Sequence, residues 1–160
     1  MAVKTRLLLL LMIAAVPLAL AAQQESAAER GIHALVATFG DAWNRHDAHA
    51  FAATFAEDAD FTNVIGMGAH GRSAIEEFHA PMFSTRFKDT HQTATDIKIR
   101  MLSPAIASVD VHWEMTGALE VDGSTISLRK GLLNLVVTEQ SGRWLITVMH
   151  NQEFTPRKNL

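Results

Sequence analysis

The chain has 160 residues and a formal net charge of −3 with histidine counted as neutral. This mild acidity argues against nucleic acid or an anionic membrane as the partner, because both require a basic surface. The sequence contains no cysteine, which excludes disulfides, thiol nucleophiles and cysteine-ligated metals, so an apolar core must stabilise the fold.

Residues 1–22 have the composition of a secretory signal peptide. Lys4 and Arg6 precede an uninterrupted apolar run, Leu7–Val16, and small residues suited to cleavage follow it. The run is short for a membrane span and no cysteine follows it, so we expect Sec-type export without a lipid or a stable membrane anchor. An uncleaved N-terminal anchor is the alternative. The prediction is a periplasmic or secreted protein in which residues 23–160 form one domain.

Two helices are predicted at the start of this domain. Ser26 and Glu29 have the spacing of a capping box. An apolar stripe with the i, i+3, i+4, i+7, i+11 spacing follows and predicts an amphipathic helix. Its members are Ile32, Leu35, Val36, Phe39 and Trp43. Asp47 is predicted to cap a second, short helix that buries Phe51, Ala52 and Phe55.

One short strand and a third helix are predicted next. Polar and apolar residues alternate over Asp60–Ile65, which predicts a strand, and glycines then break the chain. Ser73 and Glu76 have capping-box spacing and open the helix. Its inner stripe is expected to contain Ile75, Phe78, His79 and Met82. Pro81 is expected to kink or end this helix.

The pattern changes to period two after Arg86 and predicts four antiparallel strands. They cover residues 90–102, 105–120, 125–139 and 143–154, with turns at Asp122-Gly123 and Ser141-Gly142. Helices followed by such a meander define an α+β fold. Because helices on one side of a sheet of this size favour curling, we expect a curved antiparallel sheet that forms a cone or cup. The interior of the cup is the natural ligand pocket.

Four segments carry a resemblance to a known superfamily. They are AWNRHDAHAF (42–51), FAEDADFTNVIG (55–66), GRSAIEEFH (71–79) and SGRWLITVMHNQEF (141–154). The chain resembles the nuclear transport factor 2-like superfamily, which includes SnoaL-like polyketide cyclases and ketosteroid isomerases, and is most similar to the small SgcJ/EcaC-like subgroup. Members of that subgroup are often called oxidoreductases. No dinucleotide, haem or flavin motif supports that label here, and no cofactor is predicted.

The resemblance to ketosteroid isomerases implies three pocket positions: a tyrosine, an aspartate base and a protonated aspartate. Phe39, Asn63 and Asn134 stand at these positions, and the chain has no tyrosine at all. Isomerase chemistry of this kind is therefore not expected. An asparagine can donate and accept hydrogen bonds but does not shuttle protons. Asn63 and Asn134 are expected to orient a ligand carbonyl or amide, the alternative being that they bond to backbone groups of the cup wall.

His79 and His91 are the candidate acid/base residues. His79 lies on the apolar stripe of the third helix, where burial could tune its pKa. The alternative is a neutral core histidine bonded to a carbonyl. His91 faces inward by alternation with Ile97, Ile99 and Met101, unless a bulge among the intervening threonines reverses the alternation.

The remaining lining of the pocket is expected to be mostly apolar. It is predicted to include Phe61, Trp113, Leu132, Thr147, Met149 and Asn151. His112 and His150 alternate with inward residues and are assigned to the outer face of the sheet. The resemblance implies that this face forms a homodimer. No HExxH or similar spacing occurs, so no metal site is predicted.

Three functional hypotheses follow, of which we favour the first. It is an exported domain that binds a small, largely apolar organic molecule, with His79, Asn63, Asn134 and Asn151 at the polar end of the pocket and Trp113 as a wall. The second is an enzyme of the cyclase, isomerase or lyase type that uses His79 or His91 as its single acid/base. The third is a dimeric interaction module whose pocket is vestigial.

Overall fold

A computed structural model describes residues 25–154, which form three α-helices and a six-stranded sheet. The helices are α1 (Ala27–Asn44), α2 (Ala48–Ala52) and α3 (Arg72–Phe83). The strands are β1 (Phe55–Thr62), β2 (Gly68–His70), β3 (His91–Ser103), β4 (Ile106–Thr116), β5 (Arg129–Gln140) and β6 (Arg143–Glu153). The sheet is curved and unclosed, which confirms the predicted α+β fold. The predicted signal peptide, residues 1–22, lies outside the described residues.

The first two helices begin where the sequence predicts. The Ser26 hydroxyl accepts a hydrogen bond from the Glu29 backbone N–H at 3.1 Å, and the Glu29 carboxylate accepts one from the Ser26 N–H at 2.8 Å. The whole apolar stripe of α1 is buried. The Asp47 carboxylate caps α2 by accepting from the Ala50 N–H at 2.9 Å. Each cap satisfies N–H groups that have no partner inside the helix.

Helix α3 starts differently from the prediction. It begins at Arg72, directly after Gly71, and no side chain caps it. The predicted capping box at Ser73 is therefore wrong, and the Ser73 hydroxyl donates to Glu77 at 3.3 Å instead. The Arg72 guanidinium donates to the Phe55 carbonyl oxygen at 2.9 and 2.6 Å, which attaches the start of α3 to β1. This contact takes the place of a local cap.

The strand order is β2-β1-β6-β5-β4-β3. Strands β3 to β6 form the predicted antiparallel meander, and β1 lies parallel to β6. Strand β1 begins at Phe55 and ends at Thr62, earlier than the predicted Asp60–Ile65. Its pairing with β6 shifts register between Phe55 and Asp60. This irregularity lies before Asp60, where buried and exposed residues do not alternate, so alternation predicts only the later part of the strand.

One apolar core lies between the helices and the inner face of the sheet. The buried stripe of α1 packs against side chains that alternate along β4 and β5. These are Val109, Val111, Leu133 and Leu135. Burial of each such side chain is worth roughly 1.5–3 kcal/mol, so this layer holds the helices on the sheet. No helix within residues 25–154 combines the length and apolar character that crossing a membrane requires.

Gly131 on β5 allows close packing of Trp113. The two residues are directly paired across β4 and β5. A methyl group at position 131 would overlap both the Trp113 indole and the backbone oxygen of Gln152. The absence of a side chain at Gly131 therefore lets the Trp113 ring lie against the sheet.

We predict opposite effects for two glycine-to-alanine substitutions. Gly131→Ala should lower the free energy of unfolding by roughly 1–3 kcal/mol, because the added methyl group overpacks the sheet. Gly40→Ala is the matched control, since Gly40 lies inside α1 and an added methyl group meets no neighbour within 4 Å. It should raise stability by about 0.5–1 kcal/mol through higher helix propensity. Urea unfolding of both variants checks this, and a wild-type midpoint for Gly131→Ala would contradict the packing argument.

Candidate functional site

A cavity of about 270 Å³ lies between α3, β1, the loops after α3 and β4, and the inner face of β4 and β6. We call it the main cavity. Its apolar lining is Trp43, Phe61, Val64, Ile65, Phe78, Met82, Phe87, Trp113, Met115, Ile126 and Met149. Its polar lining is Asn63, His79, Arg86, Glu120, Arg129, Asn151 and Glu153. An apolar cavity with a few polar groups has the composition of a small-molecule site, and its volume is close to the low end of the usual range.

A second groove of about 430 Å³ lies beside α1, α2 and the turn between β5 and β6. It is lined by Gly31, Ala34, Leu35, Thr38, Ala50, Ala53, Thr54, Gly142, Arg143, Trp144 and Leu145. Arg143 is its only ionisable lining residue among the residues that the structure describes. We therefore place the candidate site in the main cavity, which combines acceptors, donors and a buried histidine.

His79 lies among aromatic rings on α3, and its side chain is almost fully buried, with 2% relative exposure. Ring centroids of Phe51, Phe61 and Phe78 lie 4.4, 4.8 and 5.3 Å from the imidazole centroid. His79 Nδ1 is 2.7 Å from the Ile75 carbonyl oxygen, one helical turn earlier. Because a carbonyl oxygen only accepts, Nδ1 carries the proton of the neutral ring. Nε2 is then a hydrogen-bond acceptor.

Burial lowers the pKa of His79 from 6.5 to about 4, and this effect outweighs the opposing effect of the hydrogen bond to Ile75. The imidazole is therefore neutral near pH 7. His79 lines the main cavity, and Nε2 makes no hydrogen bond to any residue between 25 and 154. The structure agrees with the alternative of a neutral buried histidine bonded to a carbonyl, and His79 also lines the cavity. Its acid/base role stays a prediction.

Asn63 and Asn151 also line the main cavity, as predicted. The Asn63 side-chain oxygen accepts from the backbone N–H groups of Ile65 and Met67 at 3.0 and 2.9 Å. The Asn151 oxygen accepts from the Trp113 indole N–H at 3.0 Å. Both amide oxygens are therefore engaged within the protein, and the amide NH₂ groups remain as donors.

Asn134 does not line the cavity, so the prediction for this residue is wrong. Its neighbours Leu133 and Leu135 face the core, which places Asn134 on the outer face of β5. There its NH₂ group donates to Asp110 at 2.7 Å and its oxygen accepts from Gln152 at 3.0 Å. Strand β5 carries apolar residues on both faces, so alternation alone does not assign its inner side.

Thr147 and Leu132 are also outside the cavity, contrary to the prediction. The pairing of β6 with β5 moves from Ile146 to Val148, so Thr147 is an extra residue in a β-bulge. Its hydroxyl lies 2.8 Å from the Thr138 hydroxyl. Leu132 precedes the buried Leu133 and faces outward with Asn134.

Phe39 belongs to the core and does not line the main cavity, so its predicted ligand contact is wrong. Its ring centroid lies 4.7 Å from that of Phe51 and 6.3 Å from that of Phe55. One turn later on α1, Trp43 reaches the main cavity instead. Its indole N–H donates to the Thr90 hydroxyl at 3.1 Å, which fixes the ring.

His91 is exposed at the start of β3, so it is not an acid or base of the cavity. The neighbouring Gln92 is buried instead. A register shift between Ala94 and Asp96 separates this end of β3 from Ile97 and reverses the alternation. A bulge among the threonines was the alternative that the sequence left open for His91.

The outer face of the sheet carries His112 and His150, as predicted. Val111 and Trp113 are buried on either side of His112, and His150 follows the buried Met149. His150 pairs with the outward Asn134. Neither histidine lines the main cavity.

The Arg129–Glu153 ion pair is the main feature of the cavity that the sequence analysis missed. Arg129 donates two hydrogen bonds to the Glu153 carboxylate, at 2.7 and 2.8 Å. These bonds hold the pKa of Glu153 below its ordinary value. The Arg129 side chain is 10% exposed, and its guanidinium carbon lies 5.7 and 5.9 Å from the ring centroids of Phe87 and Trp113. Because side chains alternate along a strand, Glu153 lies on the same face of β6 as Asn151. This alternation was the sequence signal for Glu153 in the cavity.

Two further charged groups, Arg86 and Glu120, come from loops. Arg86 donates through Nε to the Leu119 carbonyl oxygen at 3.1 Å, which joins the two loops at the cavity. Loop residues follow no strand or helix period, so no sequence pattern assigns them to the site. Within residues 25–154, no group of three histidine, aspartate or glutamate side chains is arranged to hold a metal ion.

Comparison with known proteins assigns the family. The model of the SnoaL-like domain family matches residues 36–144. The chain belongs to the SnoaL-like domain family. This confirms the broader resemblance drawn from the sequence. No curated protein sequence matches this SnoaL-like domain.

Solved structures share the fold of this SnoaL-like domain. A Caulobacter vibrioides protein with a cystatin-like fold has a TM-score of 0.73 and 30% identity, over 79% of this chain and 89% of that one. A Nostoc punctiforme domain with a cystatin-like fold has a TM-score of 0.71 and 28% identity, over 82% and 80%. A Novosphingobium aromaticivorans protein, provisionally named a scytalone dehydratase, has a TM-score of 0.71 and 18% identity, over 80% and 85%. The last similarity concerns the fold alone.

The buried His79 predicts a specific loss of stability in acid. Its ordinary pKa of 6.5 applies to the unfolded chain, whereas its pKa in the folded protein is about 4. As the pH falls from 6.5 to 4, the unfolded chain therefore binds a proton that the folded protein does not. This contribution to stability is complete above about pH 6.5, and up to about 3 kcal/mol of it is lost by pH 4.

Urea unfolding as a function of pH tests this for the wild type, His79→Leu and His79→Gln. Both variants should show a shallower pH dependence between pH 6.5 and 4, because neither residue titrates. The use of one apolar and one polar replacement separates titration from a change in packing. Equal slopes for all three proteins would contradict the assigned burial of His79.

Proposed function

We propose that this SnoaL-like domain binds a small, largely apolar organic molecule in the main cavity. The observation that carries the proposal is the free acceptor His79 Nε2 on a side chain that is 2% exposed. Among the described side chains, only Gln92 Oε1 is both enclosed and without a partner, so Nε2 is open to the cavity that His79 lines. A ligand that enters the main cavity can therefore donate a hydrogen bond to Nε2.

The apolar wall supports this proposal because it provides most of the contact area. Phe61, Phe78 and Trp113 bring aromatic faces to the same cavity. Such rings bury large areas and lose little conformational entropy on binding. Trp113 is held by Asn151 and Arg129 is held by Glu153. Because these side chains are already fixed before a ligand binds, less conformational entropy is lost on binding.

The cellular context belongs to the same proposal. The composition of residues 1–22 is the basis for proposing export by a Sec-type signal peptide to the periplasm or medium. We also propose that the domain belongs to the finer SgcJ/EcaC-like subgroup. The basis for this assignment is the four sequence segments that carry the family resemblance.

The second candidate is an enzyme that uses His79 as a general base. The observation that favours it is the unprotonated Nε2 in a buried site. A base is most effective when its pKa is near the working pH, and the pKa of His79 is about 4. Proton abstraction would therefore be restricted to an acidic substrate proton, and the neutral ring has no proton at Nε2 to donate. Binding requires only the acceptor, so we rank it first.

We also propose that the outer face of the sheet forms a homodimer. Leu132, Val136 and Val148 are half-buried on this face, and Val136 pairs directly with Val148. The hydrogen-bonded Asp110 and Asn134 lie beside these apolar side chains. An apolar centre with polar neighbours is the composition expected of an isologous interface.

Partly filling the main cavity should weaken small-molecule binding. Ile126 lines the cavity, so Ile126→Trp should fill part of it and weaken the binding of one- and two-ring aromatic fragments at least about tenfold. Leu128→Trp is the control, because Leu128 is 43% exposed and does not line the cavity. Ligand-observed NMR with a fragment mixture measures the effect. The same samples, followed over time, report any turnover.

Three outcomes separate the hypotheses. Binding to the wild type and to Leu128→Trp, but not to Ile126→Trp, supports the cavity as a binding site. Conversion of a fragment by the wild type, lost in His79→Gln, would favour the enzyme. Absence of any saturable binding would overturn the proposed function and leave the interaction module.

The dimer can be tested separately by sedimentation velocity. Val136→Glu should lower the dimer fraction, because it places a charge in the apolar centre of the proposed interface. Val121→Glu is the control, since Val121 is 89% exposed in the loop after β4. A wild-type monomer at all concentrations, or an unchanged dimer in Val136→Glu, would contradict this assignment.

A further inference from the structure

We infer that the molecule bound in the main cavity is neutral and donates an N–H or O–H to His79 Nε2. This inference rests on the proposed small-molecule binding and deepens it. It specifies the polarity of the hydrogen bond at the buried end of the cavity. It also excludes ligands that could offer only an acceptor there.

The first step is the tautomer of His79. The Ile75 carbonyl oxygen lies 2.7 Å from Nδ1 and can act only as an acceptor. The proton of the neutral ring is therefore on Nδ1, and Nε2 presents a lone pair. A ketone, ether or carboxylate oxygen against Nε2 would place two acceptors in contact and leave both without a donor.

The second step is that protonation does not reverse this polarity. His79 is packed against the rings of Phe51, Phe61 and Phe78. Within the described part of the chain, no carboxylate forms an ion pair with His79. An imidazolium in this position would therefore be buried without a counter-ion, which is costly. The ring stays neutral, and Nε2 stays an acceptor.

The third step concerns charge. Four charged side chains line the cavity: Arg86, Glu120, Arg129 and Glu153. Their formal charges cancel, and Arg129 is already paired with Glu153 through two hydrogen bonds. A carboxylate ligand would therefore lose its hydration without meeting a surplus of positive charge. This favours a neutral ligand.

The fourth step orients the ligand. The side-chain oxygens of Asn63 and Asn151 are engaged by N–H groups of the protein. The Asn63 oxygen accepts two such bonds and is fully used, so Asn63 has only its NH₂ donor to offer, whereas Asn151 has an NH₂ donor and one remaining lone pair. A carbonyl or ether oxygen of the ligand is suited to that end, and a donor is suited to the His79 end. The cavity thus distinguishes the two ends of a polar ligand.

A pair of matched probes, indole and benzothiophene, tests the inference. They have similar two-ring shapes, but only indole has an N–H donor. The wild type should bind indole about threefold to tenfold more tightly, which corresponds to one net hydrogen bond. His79→Leu should lose this preference, whereas His79→Gln, which keeps an acceptor oxygen, should retain part of it. Isothermal titration calorimetry gives the ratio of the two dissociation constants.

Nitrogen NMR gives a readout that packing alone would not change. Indole should shift the ¹⁵N resonance of His79 Nε2 and leave that of Nδ1 nearly unchanged, because only Nε2 accepts the new bond. Benzothiophene should shift Nε2 much less. The series 4-ethylphenol, 4-ethylanisole and 4-ethylbenzoate extends the test, and the phenol is expected to bind most tightly.

The outcomes distinguish this inference from the proposed function. Equal affinity for indole and benzothiophene, or a preference for benzothiophene or the benzoate, would overturn the inference and leave small-molecule binding intact. No saturable binding of any probe would overturn both. If His79→Leu does not fold, the ratio in His79→Gln and the Nε2 shift in the wild type decide the result.

Discussion

The hydrogen bond from His79 Nδ1 to the Ile75 carbonyl oxygen determines the chemistry of the cavity. It assigns the ring proton to one nitrogen and leaves the other as an acceptor. The surrounding rings of Phe51 and Phe61 exclude water and lower the pKa of the imidazole to about 4. The hydrogen bond within α3 therefore sets the hydrogen-bonding polarity of the ring, and its burial sets the charge.

Several other polar groups of the cavity are also engaged within the protein. The Asn151 oxygen accepts from Trp113, and Arg129 is paired with Glu153. A side chain that is already hydrogen-bonded within the protein is held in one orientation. It therefore has few donors or acceptors left for a ligand. The cavity consequently offers a limited number of polar groups, among them the acceptor His79 Nε2. This arrangement is suited to selecting a neutral molecule by the placement of its polar atoms.

Most of the fold could be predicted from the sequence, because its signals are periodic and local. The apolar stripe of α1, the Asp47 cap and the meander depend on neighbouring residues, and His79 was found from the stripe of α3. The failures occur where periodicity is interrupted or carries no information. The bulge at Thr147 reverses the alternation of β6, and β5 is apolar on both faces around Asn134. Such register shifts depend on pairing between strands, which a single sequence does not show.

The three positions implied by the isomerase resemblance lie in different parts of the fold. Phe39 fills the core, Asn134 bonds to Asp110 on the outer face, and only Asn63 lines the cavity. Asn63 uses its oxygen to close the turn that follows β1. The loss of phenol and carboxyl groups at these positions therefore does not indicate a site rebuilt around paired amides. The acceptor that we assign to a ligand is on α3, where His79 combines a structural bond at one nitrogen with an acceptor at the other that opens to the cavity.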